Sequence, residues 1–265
     1  MEPLLSVNHL SVTYKGNSLA LRDLSFSMNK GEIIGIVGES GSGKSTLIRA
    51  LLGLLPEGGQ YTGGVISFQE KVLLRESQSD WGGVRGKRIA MVFQDSGSYL
   101  NPIRSIGSQY IEAICTHFTV AKKAAYTLAV NMLADMGLDD PERIMRSYPS
   151  QLSGGMKQRT AIAMAVTMEP ELLLADEPTS SLDVTTQNEV MNRLSELRSR
   201  QGTGMIIVTH NIAVAAHMAD RIGVMRDGTL VEMGDTFRVI SDPQHEYTRK
   251  LLSAVPELEG NVYGS

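Results

Sequence analysis

A glycine-rich octapeptide, GESGSGKS at Gly38–Ser45, constrains the fold of this chain more than any other feature. It follows the apolar run EIIGIV at Glu32–Val37 and leads into a stretch of helical character at Lys44–Leu55. Glycines let a loop curl until its N–H groups point inward, and the N-terminus of the following helix adds partial positive charge. The order of strand, loop and helix matches the Walker A pattern and predicts a phosphate-binding loop.

Two side chains of this loop have predicted roles of their own. Lys44 is expected to reach the β- and γ-phosphates of a nucleotide, and the Ser45 hydroxyl to ligate magnesium. The alternative is an ordinary glycine-rich turn with a capping serine, which the apolar helix that follows disfavours. The predicted nucleotide-binding residues are Gly38, Glu39, Ser40, Gly41, Ser42, Gly43, Lys44, Ser45 and Thr46.

The composition argues against several classes of protein. The 265 residues carry a net charge of −4 with no long basic run, which disfavours a nucleic-acid surface. The single cysteine, Cys115, excludes an internal disulfide, and the 5 histidines lack zinc-binding spacing. No apolar run approaches the ~18 residues of a spanning helix, and no signal segment is found, so we expect a cytosolic chain that other proteins bring to a membrane.

The remaining patterns predict an α/β fold. Apolar and polar residues alternate on both sides of the turn-like KGNS at Lys15–Ser18, which predicts an antiparallel hairpin. The segment between Ser105 and Met168 is predicted to be a helical insertion that Pro170 ends. Further strands are predicted at Val65–Phe68, Arg88–Phe93, Leu172–Ala175, Met205–Thr209 and Arg221–Met225, and helices at Val120–Met136 and Gly154–Met168.

Two carboxylates follow one of these apolar strands. Asp176 and Glu177 end the run LLLADE at Leu172–Glu177, which has the form of a Walker B segment. A buried strand delivers such carboxylates to the ligand-binding edge of a parallel sheet. Asp176 is expected to hold magnesium through water, and Glu177 to polarise the attacking water as general base. Taken alone, this pair would more often be a helix cap or a solvated loop.

The motifs together resemble, in order and over nearly the whole chain, those of the ATP-binding cassette (ABC) ATPases. Gln94 matches the glutamine loop of that family, His210 the switch histidine, and Tyr14 the aromatic residue that stacks on adenine. Each also has a simpler interpretation, as a polar loop residue, a helix cap and a strand tyrosine respectively. The signature motif is matched by Leu152, Ser153, Gly154, Gly155 and Met156, with Met156 in place of the commoner glutamine, and the D-loop by Ser180, Ser181, Leu182 and Asp183.

This resemblance implies a fold and a mechanism. The fold is a P-loop NTPase core with a parallel sheet, an N-terminal antiparallel β-subdomain and an α-helical subdomain inserted at about 95–168, in one domain of residues 1–265. Two such chains would sandwich two ATP molecules head to tail, so that the signature of one faces the Walker A loop of the other. The implied catalytic residues are Glu177, His210 and Gln94, and the implied magnesium ligands Ser45, Gln94 and Asp176.

Several segments resemble the importer group for dipeptides, oligopeptides and nickel, among them DEPTSSLDVTTQ at Asp176–Gln187. The sequence SYLNP at Ser98–Pro102 is similar to that group's SLNP, and LSGGMKQR at Leu152–Arg159 to its SGGMRQR. Within a C-terminal tail at 240–265, Pro243–Pro256 is similar to HPYTRALLSAVP, and it also fits an amphipathic helix. The tail has no cysteine, so we expect no iron–sulfur cluster, and the short form favours the nickel-type subunits over the peptide importers.

The resemblance further implies partners and a location. We expect a second, different ABC ATPase subunit, two integral membrane subunits gripped by Asp95–Cys115, and an extracytoplasmic substrate-binding protein, with no nucleic acid. The chain would lie peripherally on the cytoplasmic face of the cell membrane. The main alternative is a soluble accessory ABC ATPase of an enzyme complex such as the phosphonate-lyase machinery. A DNA-repair or translation cassette and a generic P-loop kinase fit the motifs less well.

Overall fold

The computed structural model describes residues 2–15, 18–75, 78–179 and 184–254. These residues form two compact units. The first comprises the described residues up to Gly82 and from Gly204 onward, and the second those from Gly83 to Thr203. The predicted D-loop at Ser180–Asp183, part of the KGNS turn and the end of the C-terminal tail lie outside the described residues.

The first unit contains an antiparallel sheet and most of a second sheet in which parallel pairs dominate. Its antiparallel sheet has the strand order β2-β1-β4-β5-β6, so the predicted N-terminal hairpin is confirmed, and β1 also pairs with β4. The strands of the described residues are β1 (Leu5–Tyr14), β2 (Ser18–Met28), β3 (Ile33–Val37), β4 (Gln60–Phe68), β5 (Lys71–Arg75), β6 (Gln78–Ser79), β7 (Ile89–Val92), β8 (Leu172–Asp176), β9 (Gly204–Thr209), β10 (Arg221–Arg226) and β11 (Thr229–Asp235).

The core strand of the first unit is β3, which lies between β9 and β10 and is parallel to both. All residues of β3 and β9 are buried, as expected for strands covered on both faces. The register places Val37, the last residue of β3, opposite Thr209 on one side and Val224 on the other. The turn at Asp227-Gly228 then leads into β11, which pairs antiparallel with β10, so this predicted hairpin is confirmed.

The second unit combines a parallel strand pair with most of the helices. Strands β7 and β8 pair with Val92 opposite Ala175, and β8 is buried throughout. Helix α2 approaches α4 so closely that a Cβ on Gly107 would lie 2.6 Å from the carbonyl oxygen of Met145. Across both units, the helices of the described residues are α1 (Lys44–Leu51), α2 (Ile106–His117), α3 (Lys122–Asp135), α4 (Pro141–Arg146), α5 (Gly154–Val166), α6 (Val184–Gln201), α7 (Ile212–Met218), α8 (Thr236–Ser241) and α9 (Glu246–Ser253), with 3-10 turns at Ser96–Tyr99 and Pro149–Gln151.

Helix boundaries differ from the sequence prediction at one informative place. The helix after the glycine-rich loop ends at Leu51, whereas the apolar pattern extends to Leu55. Gly53 adopts a positive φ of 66°, and the N–H groups of Gly53 and Leu54 donate to the carbonyl oxygens of Ala50 and Arg49. A glycine in the left-handed region is a common helix terminator, which explains the early end.

Candidate nucleotide-binding site

The glycine-rich loop wraps around the ammonium group of Lys44. Nζ of Lys44 donates hydrogen bonds to the carbonyl oxygens of Gly38 and Glu39, at 2.7 Å each, and lies 3.4 Å from Oγ of Ser42. The lysine is the first residue of α1 and is only 6% exposed. A cation therefore sits inside the loop, beside the N-terminus of the helix whose dipole also favours an anion.

The loop is closed on one side and open on the other. A Cβ on Gly38 would lie 2.2 Å from the carbonyl oxygen of Met225, and a Cβ on Gly43 would lie 2.7 Å from that of Ala20. A Cβ on Gly41 would meet nothing within 4 Å. The backbone of the loop is thus pressed against β2 and β10, while Gly41 faces open space. This concave shape with a central cation fits a phosphate group.

Tyr14 and His210 lie in the same unit as the loop. Tyr14 ends β1, is partly exposed, and places its hydroxyl 3.5 Å from Oγ1 of Thr46 in the first turn of α1. His210 is exposed directly after β9, the strand that neighbours β3 in the sheet. The cap of α7 is Asn211, whose side chain accepts the N–H of Ala213, so the capping role considered for His210 falls to its neighbour.

Asp176 ends β8, and Gln94 and Glu177 follow the same end of the parallel pair β7 and β8 in the second unit. Because Val92 is opposite Ala175, the residues that follow β7 and β8 emerge side by side. Asp176 is 1% exposed at the end of β8, whereas Gln94 is exposed. Glu177 has a φ of 48°, a left-handed conformation that is uncommon for glutamate and is often found at functional sites.

The signature motif forms the exposed start of a helix. Oγ of Ser153 accepts the N–H of Met156 at 3.3 Å and so caps the 13-residue helix α5. A Cβ on Gly154 would meet nothing within 4 Å, which leaves the first turn open to an approaching group. Farther along α5, the buried amide of Gln158 donates to the carbonyl oxygen of Pro178, next to Glu177. The sequence reasoning did not single out Gln158.

An apolar groove, also missed at the sequence level, lies in the second unit beside the segment that follows Gln94. Its volume is about 270 Å³. The rings of Phe93 and Tyr99 stack at its wall with their centroids 4.4 Å apart. The methionines and alanines at helical spacing on α5 were the available signal. The groove is lined by Phe93, Tyr99, Leu100, His117, Met164 and Met168, among others.

Comparison with known proteins decides the family. The profile described as ABC transporter matches residues 21–180, which include the glycine-rich loop, the signature and both carboxylates. The chain belongs to the ABC transporter family. Its α/β fold with a P-loop core is confirmed by the solved ABC cassettes that it resembles, and the chain is an ATP-hydrolysing ABC ATPase.

Among curated ABC proteins, the dipeptide transport ATP-binding protein DppD of Bacillus subtilis is 43% identical over 98% of this chain and 79% of its own length. The oligopeptide transport ATP-binding protein OppD of Haemophilus influenzae is 40% identical over 98% of this chain and 81% of its own. DppD of Escherichia coli is 40% identical over 96% of this chain and 79% of its own.

Two solved cassettes show the same fold. A post-hydrolysis dimer of the ATP-binding cassette MJ0796 with ADP and Pi has a TM-score of 0.78 and 28% identity, over 88% of this chain and 98% of that one. CbiO1 of Clostridium perfringens, part of the ABC transporter complex cbiONQ, has a TM-score of 0.75 and 27% identity, over 97% of this chain and 98% of that one. Within the described part of this ABC ATPase, no helix is both long and apolar enough to cross a membrane.

Proposed function

We propose that this chain is the ATP-hydrolysing subunit of an importer for dipeptides or oligopeptides. The observation that carries this proposal is identity of 40% or more, over nearly the whole chain, to ATP-binding proteins named for dipeptide and oligopeptide transport. These names support the peptide option and give no specific support to nickel, which the short C-terminal tail had favoured. ATP hydrolysis in such a subunit supplies the free energy for transport of a cargo that the subunit itself does not touch.

In this proposal the first unit binds the nucleotide. Lys44 and the inward N–H groups of the loop bind the phosphates, and Tyr14 stacks on adenine. The cation at the centre of the loop and the open space beside Gly41 support this assignment. The N-terminus of α1 adds favourable charge for the same anion. His210, which follows the strand beside β3, contacts the terminal phosphate and is one of the proposed catalytic residues.

The second unit supplies the proposed hydrolytic residues. Glu177 orients and polarises the attacking water as general base, and the exposed N-terminus of α5 with Ser153 binds the ATP held by the partner ATPase. The D-loop residues Ser180 to Asp183 follow Glu177 in the chain and complete the proposed interface. Side-chain hydroxyl, amide and carboxylate oxygens suit Mg²⁺, which neutralises phosphate charge when bound. Its proposed ligands are Ser45, Gln94 and Asp176.

The apolar groove of the second unit supports the proposed docking of membrane subunits on Asp95–Cys115. Its wall carries Tyr99, which is 57% exposed, and the same loop carries Ile103, which is 82% exposed. Large apolar side chains in such positions are typical of protein interaction sites. An amphipathic segment of an integral membrane subunit fits this surface and would hold the ATPase at the cytoplasmic face. A second ATPase subunit and an extracytoplasmic binding protein complete the proposed importer. In this proposal residues 1–265 form one cassette domain.

The proposal is tested by uptake measurements in the source organism. A strain lacking this gene is complemented with wild-type protein, with Glu177→Gln or with Glu169→Gln, and the uptake of a radiolabelled dipeptide, a radiolabelled pentapeptide and ⁶³Ni²⁺ is measured. Wild type and Glu169→Gln should restore peptide uptake and Glu177→Gln should not. Restoration of nickel uptake alone would contradict the peptide assignment. Unchanged uptake of all three tracers in the deletion strain would favour the soluble accessory ATPase.

A further inference from the structure

The C-terminal helix makes a direct contact with the Walker A loop. The hydroxyl oxygen of Tyr247, in the first turn of α9, accepts a hydrogen bond from the backbone N–H of Glu39 at 3.0 Å. The two residues are 208 positions apart in the chain, and Tyr247 is 5% exposed. A backbone donor at the start of the phosphate-binding loop therefore has a fixed partner outside the loop.

The ring of Tyr247 is held in one orientation. The guanidinium of Arg226, at the end of β10, lies 5.1 Å from the ring centroid, within the range of a cation–π contact. The backbone N–H of Tyr247 donates to Nδ1 of His245 at 3.1 Å, which caps the helix. The position of the hydroxyl is thus set by contacts on the face of the ring and at the backbone.

A single carboxylate anchors the segment that carries Tyr247. We call residues 243–253 the C-terminal strap. Glu232 on β11 accepts hydrogen bonds from the backbone N–H groups of Gln244 at 2.8 Å and His245 at 3.0 Å. Charge-assisted bonds of this kind are stronger than bonds between neutral groups. The strap is therefore tied to the central sheet of the first unit immediately before Tyr247.

The loop is also held from the β10–β11 turn. The N–H of Gly228 donates to the carbonyl oxygen of Ser42 at 3.0 Å, and the backbone of Met225 abuts Gly38. The strap thus holds the beginning of the loop and the turn holds its end. A tyrosine that served only to fill the core would not need its hydroxyl at a loop amide, since a phenylalanine would bury the same ring.

We infer that Tyr247 is a positioning residue for ATP binding, through which the C-terminal strap keeps the Walker A loop in its phosphate-binding shape. A loop with several glycines has a large conformational entropy when it is not held. A contact that orders the loop beforehand lowers the entropic cost of binding phosphate and so raises affinity. The inference rests on nucleotide binding by this loop, and it predicts an effect on ATP affinity rather than on the hydrolytic step.

The test removes only the hydroxyl. In the full chain, Tyr247→Phe should raise the Kd and the KM for ATP about fivefold, because one hydrogen bond is lost while the ring stays in place, with kcat changed less than about twofold. Tyr61→Phe is the matched control, since Tyr61 donates its hydroxyl to Ala50, which lies outside the loop. Equal ATP affinity of Tyr247→Phe and wild type, or a fall in kcat alone, would overturn the inference.

A second variant removes the carboxylate of Glu232 that anchors the strap just before Tyr247. Glu232→Ala should weaken ATP binding in the same direction, Glu232→Gln should restore much of it, and adding Tyr247→Phe to Glu232→Ala should have less than the additive effect. Additive losses of ATP affinity in the double variant would contradict the inference that Glu232 acts on ATP binding through Tyr247. The fold is checked by thermal unfolding of each variant. If wild type itself bound no ATP, or if Lys44→Ala bound it equally well, the assignment of the nucleotide site would be wrong. That result differs from an unchanged ATP affinity in Tyr247→Phe, which would overturn only the role of Tyr247.

Discussion

The buried side-chain amide of Gln158 donates a hydrogen bond to the carbonyl oxygen of Pro178, one residue after Glu177. This bond joins the helix that begins at the signature motif to the segment that carries the proposed general base. Both residues belong to the second unit. A shift of α5 would thus be transmitted to the backbone next to Glu177, which already has a left-handed conformation.

Replacing Gln158 with methionine keeps the size of the side chain and removes the hydrogen bond. We expect kcat for ATP hydrolysis to fall at least about tenfold with little change in ATP affinity, since a small displacement of a catalytic group is costly. The unsatisfied carbonyl should lower the free energy of unfolding by about 1–3 kcal/mol. Gln201→Met, at the end of α6, is the control. Unchanged kcat in a folded Gln158→Met protein would show that the bond has no role in hydrolysis.

Glu177→Gln should bind ATP as wild type does and hydrolyse it at least about 100-fold more slowly, the scale expected when a general base is lost. Glu169→Gln is closely matched, because Glu169 is exposed and also has a positive φ, of 49°. Steady-state phosphate release and nucleotide titration measure the two quantities separately. Undiminished turnover in Glu177→Gln would remove this residue from the role of base.

Two alanine substitutions in the Walker A loop should differ sharply. Gly38→Ala places a Cβ 2.2 Å from a backbone oxygen that cannot move away, so we expect a loss of about 1–3 kcal/mol in unfolding free energy and more than about tenfold in ATP affinity. Gly41→Ala meets no atom within 4 Å and carries only the cost of its φ of +82°, about 1 kcal/mol. Thermal unfolding and ATP titration compare the two. Equal effects would contradict the packing of the loop against β10.

The exposed loop residue Ile103 offers a test of membrane docking. Ile103→Asp places a charge on the proposed docking surface and should reduce the amount of this protein that sediments with membranes from cells expressing the whole importer by about tenfold or more. Leu128→Asp is the control and should sediment as wild type does, because Leu128 lies on the exposed face of α3. Equal sedimentation of both variants would place the docking surface elsewhere.

The stability that Glu232 gives by anchoring the strap should depend on pH. Burial by itself would raise the pKa of Glu232, but the nearby Thr248 hydroxyl, the hydrogen bonds from the N–H groups of Gln244 and His245 and the charge of His245 outweigh it, so the pKa lies below its ordinary value of 4.5. The ionised carboxylate therefore stabilises the fold above pH 4.5, and this contribution is lost as the pH falls through the lowered pKa. The difference in Tm between wild type and Glu232→Gln should be largest near neutral pH and shrink in acid. A difference that grows in acid would reverse the assigned shift.

Much of the fold followed from local patterns. The continuous apolar run before Gly38 is a buried parallel strand, and the alternation around the KGNS turn is an antiparallel hairpin, as predicted. Strand periodicity and turn residues act over short distances, so they are readable without the fold. The predicted end of the first helix is wrong, because apolar spacing continues to Leu55 while the left-handed Gly53 terminates the helix earlier.

The sequence by itself determined the family and the order of its motifs, because the glycine-rich loop, the signature and the paired carboxylates are each short segments whose chemistry is local. Only the tertiary structure decided which distant groups support them. The contacts of Tyr247 with Glu39 and of Gln158 with Pro178 leave no periodic trace in the chain. Such contacts depend on strand register and on the packing of elements far apart in sequence, and the free energy that selects them arises only when the whole chain folds.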